Sequence, residues 1–241
     1  MDFLEEEKVF YCPKCGHVHS NNIKIYNERL RKQNFIISPI LPTCLSCGSE
    51  VTLIKQPVLG NGCKVIMLTG TCGSGKSSTA EILMKIYGFD VIDGDCVMQV
   101  VKHKFGVNKV EYNEPAMYRE IEYQIDILLA LKKDIVISNV VTLQDLQVYR
   151  NIFKQRNICY QVFLLQPRYA SAIARTQTRT CHKSITPEEW VKYFYDELSL
   201  FQNKYNEDVI ILDNSDYTVE ESADKILKEY QKYYQNSRMK N

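Results

Sequence analysis

Glycine is sparse in this chain, at 10 of 241 residues, and tryptophan occurs once. No apolar run approaches the roughly 18 residues needed to cross a bilayer, so no membrane association is expected. The opening Met1-Asp2-Phe3-Leu4-Glu5-Glu6-Glu7 carries acids where an export signal has a basic end and then an apolar stretch, which predicts a cytoplasmic chain. Neither sign of charge is in excess: 30 Lys and Arg against 29 Asp and Glu leave a formal net charge of +1. The whole molecule is no electrostatic magnet for nucleic acid, and any basic surface must come from uneven distribution. One stretch does lack acids. Between Asp145 and Glu188 there is none, yet it holds Arg150, Lys154, Arg156, Arg168, Arg175, Arg179 and Lys183. It reads either as a phosphate-directed surface or as a solvated basic face.

The 45% hydrophobic content supplies a core for one ordinary domain plus a small one. Nine cysteines, an odd number without an export signal, argue against a disulfide framework and for thiols kept reduced or metal-bound. Cys12-Pro13-Lys14-Cys15-Gly16 is answered by Cys44-Leu45-Ser46-Cys47-Gly48 after a gap of 28 residues. Each C-x-x-C sets a pair of sulfurs on one tight turn, and the pair of turns completes a tetrahedral thiolate site suited to zinc. Iron in a rubredoxin-like site shares that ligand set. With every position taken by protein, the metal is a staple for a module too small to bury its own core. His17 and His19 read as surface residues, and Cys63, Cys72, Cys96, Cys159 and Cys181 as small buried hydrophobes. Pro57 and Gly60-Asn61-Gly62 punctuate the end of this module. The expected division is a zinc ribbon over 1–60 and a second domain over 61–241, fraying beyond Tyr230.

Val65-Ile66-Met67-Leu68-Thr69 is a strand-type apolar run. It leads directly into Gly70-Thr71-Cys72-Gly73-Ser74-Gly75-Lys76-Ser77-Ser78 and a helical pattern to Tyr87. This is G-x-x-x-x-G-K-S in its required setting of strand, loop and helix. Its backbone amides and helix N-terminus cradle the phosphates of ATP or GTP, Lys76 reaches the β- and γ-phosphates, and Ser77 offers a hydroxyl to Mg2+. Strand candidates at 89–92, 134–138, 159–165 and 209–212 alternate with helical patterns near 96–105, 115–132, 143–156, 168–177, 187–205 and 218–235. The predicted fold class is α/β, a P-loop parallel sheet with helices on both faces and the P-loop strand central, plus the small N-terminal ribbon.

Asp93-Gly94-Asp95 closes the second strand of this domain, and Arg175-Thr176-Gln177-Thr178-Arg179 follows the fourth. Residues 64–235 here resemble the nucleoside-monophosphate-kinase-like superfamily. The likeness is to its branch of adenylyl-sulfate, gluconate and shikimate kinases, chloramphenicol phosphotransferases, zeta-type toxins and polynucleotide 5′-kinases. The resemblance implies that Asp95 is the general base or acceptor-hydroxyl ligand. It also implies that Arg175 and Arg179 clamp ATP and the transferring phosphoryl group from a lid near 175–187. Many relatives carry an Asp after the third strand, where this chain has Ser138-Asn139-Val140. That leaves Ser77, waters and Asp93 as candidate Mg2+ partners. Two plainer readings stand beside these: Asp93 or Asp95 as a helix cap, and Arg175 with Arg179 on one solvated helix face. Trp190, after Pro187, is expected to pack beneath a helix start.

The leading expectation is an ATP-dependent kinase acting on a hydroxyl of a small metabolite, nucleoside or nucleotide. A second is a kinase of nucleic-acid ends whose ribbon grips the strand through Tyr11, Lys14 and Phe35. A third is a non-catalytic ATP-sensing adaptor, which a retained Asp95 and a basic lid disfavor.

Overall fold

The computed structural model describes residues 9–12, 14–15, 17–19, 44, 46–49, 51–54, 57–60, 62–105, 114–178, 187–201 and 209–238. Near the N-terminus β1 (Val9–Tyr11), β2 (Val18–His19) and β3 (Thr52–Ile54) pair antiparallel in the order β2-β1-β3. The larger sheet comprises β4 (Lys64–Thr69), β5 (Asp90–Asp93), β6 (Ile135–Ser138), β7 (Cys159–Leu165) and β8 (Val209–Leu212). Its strands run parallel in the order β5-β6-β4-β7-β8, so the strand feeding the P-loop is central, as the sequence predicts.

The connecting helices are α1 (Lys76–Tyr87), α2 (Gly94–Phe105), α3 (Glu114–Ala130), α4 (Leu143–Gln155), α5 (Tyr169–Thr178), α6 (Glu188–Ser199) and α7 (Val219–Arg238). Period-two alternation along β4 divides them between the faces. Val65 and Met67 point into a core shared with α2, α3, α4 and Leu198 of α6. Ile66 and Leu68 face the other way, onto Ala80 and Leu83 of α1 and Ala223, Ile226 and Tyr230 of α7. Central strands buried on both sides read as continuous apolar runs, which is why β4 and β6 were legible from sequence.

The passage from the ribbon to the larger sheet is packed. The Val58 amide donates to Asp126 Oδ1 at 2.8 Å, and the Gly60 amide to the Arg156 carbonyl at 2.6 Å. Asp126 is fully buried and takes a two-pronged ion pair from Arg156, with Nε to Oδ1 and Nη2 to Oδ2 both at 2.9 Å. Strand β3 lies against α3 just ahead of this strap. Asp126, Arg156 and the strap gather where β4, β6 and β7 begin, the edge of the sheet opposite the P-loop.

Several expectations change. Strand β5 ends at Asp93, and α2 starts at Gly94 rather than near 96. Trp190 is 62% exposed; the buried stripe of α6 runs through Val191 and Leu198, so Trp190 falls just outside it. Helix α7 continues to Arg238 with Tyr230 buried, because Tyr230 extends the apolar face that meets α1. Cys63 is buried as expected, Cys72 and Cys159 are half-buried, and Cys96 is exposed on the first turn of α2; Cys181 lies outside the described residues. The acid-free stretch is not one solvated basic face, since Arg156 is spent on Asp126 and Arg168 on an ion pair with Asp216.

Candidate active site

The P-loop leaves β4 at Gly70 and enters α1 at Lys76, with Gly75 at φ 93° capping the helix backbone. No side chain caps this terminus and its first turn has no acid, so its positive end is left to a ligand's phosphates. Gly73 has φ +79°, and a methyl group there would come within 2.2 Å of the Ala172 carbonyl of α5, so only glycine lets α5 lie on the loop. The Thr71 hydroxyl donates to the Val191 carbonyl of α6 at 2.9 Å. Lys76 Nζ lies on the loop's own carbonyls, Gly70 at 2.7 Å and Thr71 at 2.9 Å, where a phosphate oxygen can compete for it.

The two acids near the end of β5 differ in environment. Asp93 Oδ1 accepts the Asp95 amide at 3.0 Å and the Cys96 amide at 3.2 Å, and its Oδ2 accepts the Ser77 hydroxyl at 2.9 Å. Asp93 therefore takes the helix-capping role and holds Ser77. Asp95 stands exposed on the first turn of α2. Burial, then the charges of Asp93 and Asp95, push the Cys96 thiol up, which keeps it protonated and poorly nucleophilic. Ser138, at the end of β6, approaches Ser77 with 3.4 Å between hydroxyl oxygens.

One cavity of about 450 Å³ joins these groups. Gly73, Gly75, Lys76, Ser77, Ser78 and Arg175 line one part, with Asp93, Asp95, Ser138, Asn139 and Val140 along another. The remaining wall is the β8–α7 connection and the start of α7, with Asn214, Tyr217, Thr218, Val219 and Ser222. Sequence reading missed this wall, because a loop without a motif becomes part of a site only when β8 is laid beside β7. Asn214 bridges it to the P-loop, its Nδ2 donating to the Ser74 carbonyl at 2.9 Å. Arg175 does not sit on a solvated face: it is half-buried, and Nη2 donates to the carbonyls of Asn214 at 2.9 Å and Ser215 at 3.2 Å. Helix α5 ends at Thr178, so Arg179 and the expected lid to 186 lie outside the described residues.

In the ribbon, one ligand atom from each of Cys12, Cys15, Cys44 and Cys47 falls within 4.8 Å of all the others. Cys12 and Cys47 sulfurs are 3.5 Å apart, and those of Cys15 and Cys44 3.6 Å. A tetrahedron with zinc–sulfur bonds of about 2.3 Å has edges of about 3.8 Å, so the set fits zinc. Hydrogen bonds from the Ser49 hydroxyl and backbone lower the Cys47 thiol to about 6, while Cys15, against a hydrogen bond from the His17 backbone, is pushed up to about 12 by burial and the neighboring cysteine sulfurs.

A central-strand P-loop facing paired acids over a parallel sheet defines a P-loop kinase of the nucleoside-monophosphate-kinase-like superfamily, which uses ATP with Mg2+. The sequence model of the shikimate kinase family matches residues 72–231, and the chain belongs to that family. A shikimate kinase of Thermodesulfovibrio yellowstonii is 28% identical over 182 residues, covering 70% of this chain and 96% of the relative. Among solved structures, a gluconokinase from Sinorhizobium meliloti 1021 superposes with a TM-score of 0.54 at 17% identity, covering 74% of this chain and 97% of its own. The tunicamycin resistance protein of Deinococcus radiodurans gives 0.52 at 17% identity, over 69% and 95%. At these identities the structural matches establish the fold. Among the described residues, no helix is long and apolar enough to cross a membrane.

Proposed function

We infer that the protein transfers the γ-phosphate of ATP to a hydroxyl of a small metabolite, nucleoside or nucleotide, with Asp95 orienting that hydroxyl and taking its proton. The observation that supports this reading is that Asp95, exposed on the first turn of α2, lines the same cavity as Lys76 and Ser77, with Asp93 beside it holding the Ser77 hydroxyl. The backbone of residues 70–78 cradles the phosphates, with Lys76 neutralising charge as it develops on the transferring group. Ser77, held by Asp93, presents its oxygen to Mg2+. Arg175 braces the β8–α7 connection against the nucleotide, and Arg179, which lies outside the described residues, takes the phosphoryl-clamping role that the family resemblance implies. Attack by the acceptor oxygen on phosphorus expels ADP, and the acceptor's proton passes to Asp95.

The four-cysteine center takes zinc as a staple for residues 1–60, docked on residues 61–241 by the strap over Asp126. That attachment, at the sheet edge away from the P-loop, favors a small acceptor over an oligonucleotide end gripped by the ribbon. Membership of a kinase family sets aside the ATP-sensing adaptor. We assign the chain to the cytoplasm. The test is γ-labelled ATP with a panel of sugars, nucleosides, nucleotides, antibiotics and oligonucleotide 5′ ends. Label transfer to a small acceptor is expected, and transfer to oligonucleotide ends alone would overturn the small-acceptor reading.

A further inference from the structure

The chain leaving β6 is stitched to the strand that feeds the P-loop. The Asn139 amide donates to the Leu68 carbonyl at 3.1 Å, and the Val141 amide to the hydroxyl of buried Thr69 at 2.9 Å. From this fixed backbone the Asn139 side chain lines the cavity with Asp93 and Asp95. Its Nδ2 donates to the Tyr149 hydroxyl of α4 at 3.0 Å, and Tyr149 is fully buried. The Tyr149 ring meets the Tyr118 ring of α3 edge-on, with centroids 5.8 Å apart, and packs on Phe153 at 6.0 Å. Its hydroxyl is therefore an acceptor held in place by the core.

The Asn139 amide abuts the residue between the two acids. A methyl group on Gly94 would lie 2.3 Å from Asn139 Oδ1 and 2.6 Å from its Cγ. Gly94 opens α2 without a positive φ, so the backbone there would accept alanine and it is the Asn139 amide that excludes a side chain. The turn is thus fixed twice: Asp93 caps it through the Asp95 and Cys96 amides, and Asn139 packs on its glycine. Resting on the reading of Asp95 as the acceptor's base, we propose that Asn139, aimed by Tyr149, is a positioning residue for Asp95. It sets where the first turn of α2 stands relative to the P-loop strand, and so how the Asp95 carboxylate meets the acceptor hydroxyl at the γ-phosphate. Misplacing a reacting group by about 1 Å costs on the order of 10² in rate, so a loosened turn slows transfer without weakening the nucleotide's own contacts.

The test is single-turnover transfer from γ-labelled ATP by the full chain to shikimate, D-gluconate or adenosine, whichever the parent labels best, with ATP affinity measured alongside. Asn139→Ala and Tyr149→Phe should each slow transfer by about ten- to a hundredfold and leave ATP affinity unchanged. In an Asp95→Asn background the same Asn139→Ala change should alter the remaining rate by no more than about twofold, because the base it positions is already gone. Equal losses in the two backgrounds, or transfer at the parent's rate in Asn139→Ala, would reduce Asn139 to a packing residue and contradict the proposal. Gly94→Ala gives a second cycle: its methyl group displaces the amide, so it should slow transfer in the parent and cost nothing further beside Asn139→Ala. A full further loss there would also overturn the proposal. Parent-rate transfer by Asp95→Asn would remove the base and this inference with it, while phosphotransfer itself stood. No label on any of these acceptors, with ATP still bound, would count against the phosphotransfer reading and everything built on it.

Discussion

The Ser77 hydroxyl donates to Asp93 Oδ2 at 2.9 Å, tying the start of α1 to the end of β5. Asp93 thereby aims the proposed Mg2+ ligand and, through its other oxygen, caps α2. Asp93→Asn keeps a capping oxygen but loses the charge behind Ser77. Turnover in this variant should need a higher Mg2+ concentration to reach half-maximum, with the melting temperature close to the parent's. A Mg2+ titration checks this, and an unchanged midpoint would contradict it.

Lys76→Ala and Arg175→Ala should differ in kind. Lys76 meets charge in the ground and transition states, so its loss should weaken ATP binding and slow turnover together. Arg175 holds the carbonyls of Asn214 and Ser215, so its loss should fall chiefly on the KM for ATP. Steady-state kinetics separates the two patterns.

Asp126→Ala takes from buried Arg156 its two-pronged partner, leaving the Ile152 carbonyl and Glu122 at 3.9 Å, and removes the acceptor for the Val58 amide. Breaking a buried pair from one side costs about 3–5 kcal/mol, so a large fall in melting temperature is expected. Limited proteolysis should also cut sooner between the ribbon and β4. A melt indistinguishable from the parent's would show that the strap is not anchored there.

Purified protein should carry about one zinc per chain by elemental analysis, and Cys44→Ser should lose it. Because the site lies on the ribbon, the zinc-free variant should be less stable but should still bind ATP. Full zinc content in Cys44→Ser would contradict the ligand assignment.

The P-loop, the order of alternating elements and the cysteine pairing were legible because each is written in contiguous residues: a strand-loop-helix motif, apolar runs for strands buried on both faces, and spaced C-x-x-C turns. Asp93 was harder. Its spacing to α2 suits a cap and its place at the strand end suits a metal, and only the approach of α1 brings Ser77 to it. The Asn139–Tyr149 and Asp126–Arg156 pairs were not legible, since each joins separate elements through side chains of ordinary composition. Trp190 misled in the other direction: its place after Pro187 suggested packing beneath the helix start, whereas helical phase put Val191 inside instead.

The most direct test of the account is single-turnover transfer from γ-labelled ATP by Asp95→Asn, with ATP affinity measured on the same preparation. Asparagine preserves size but cannot take the acceptor's proton. The account predicts unchanged ATP affinity, an unchanged melting temperature and transfer slowed by about 10² to 10⁴. Transfer at the parent's rate would contradict it and leave Asp95 an exposed residue of the first turn of α2.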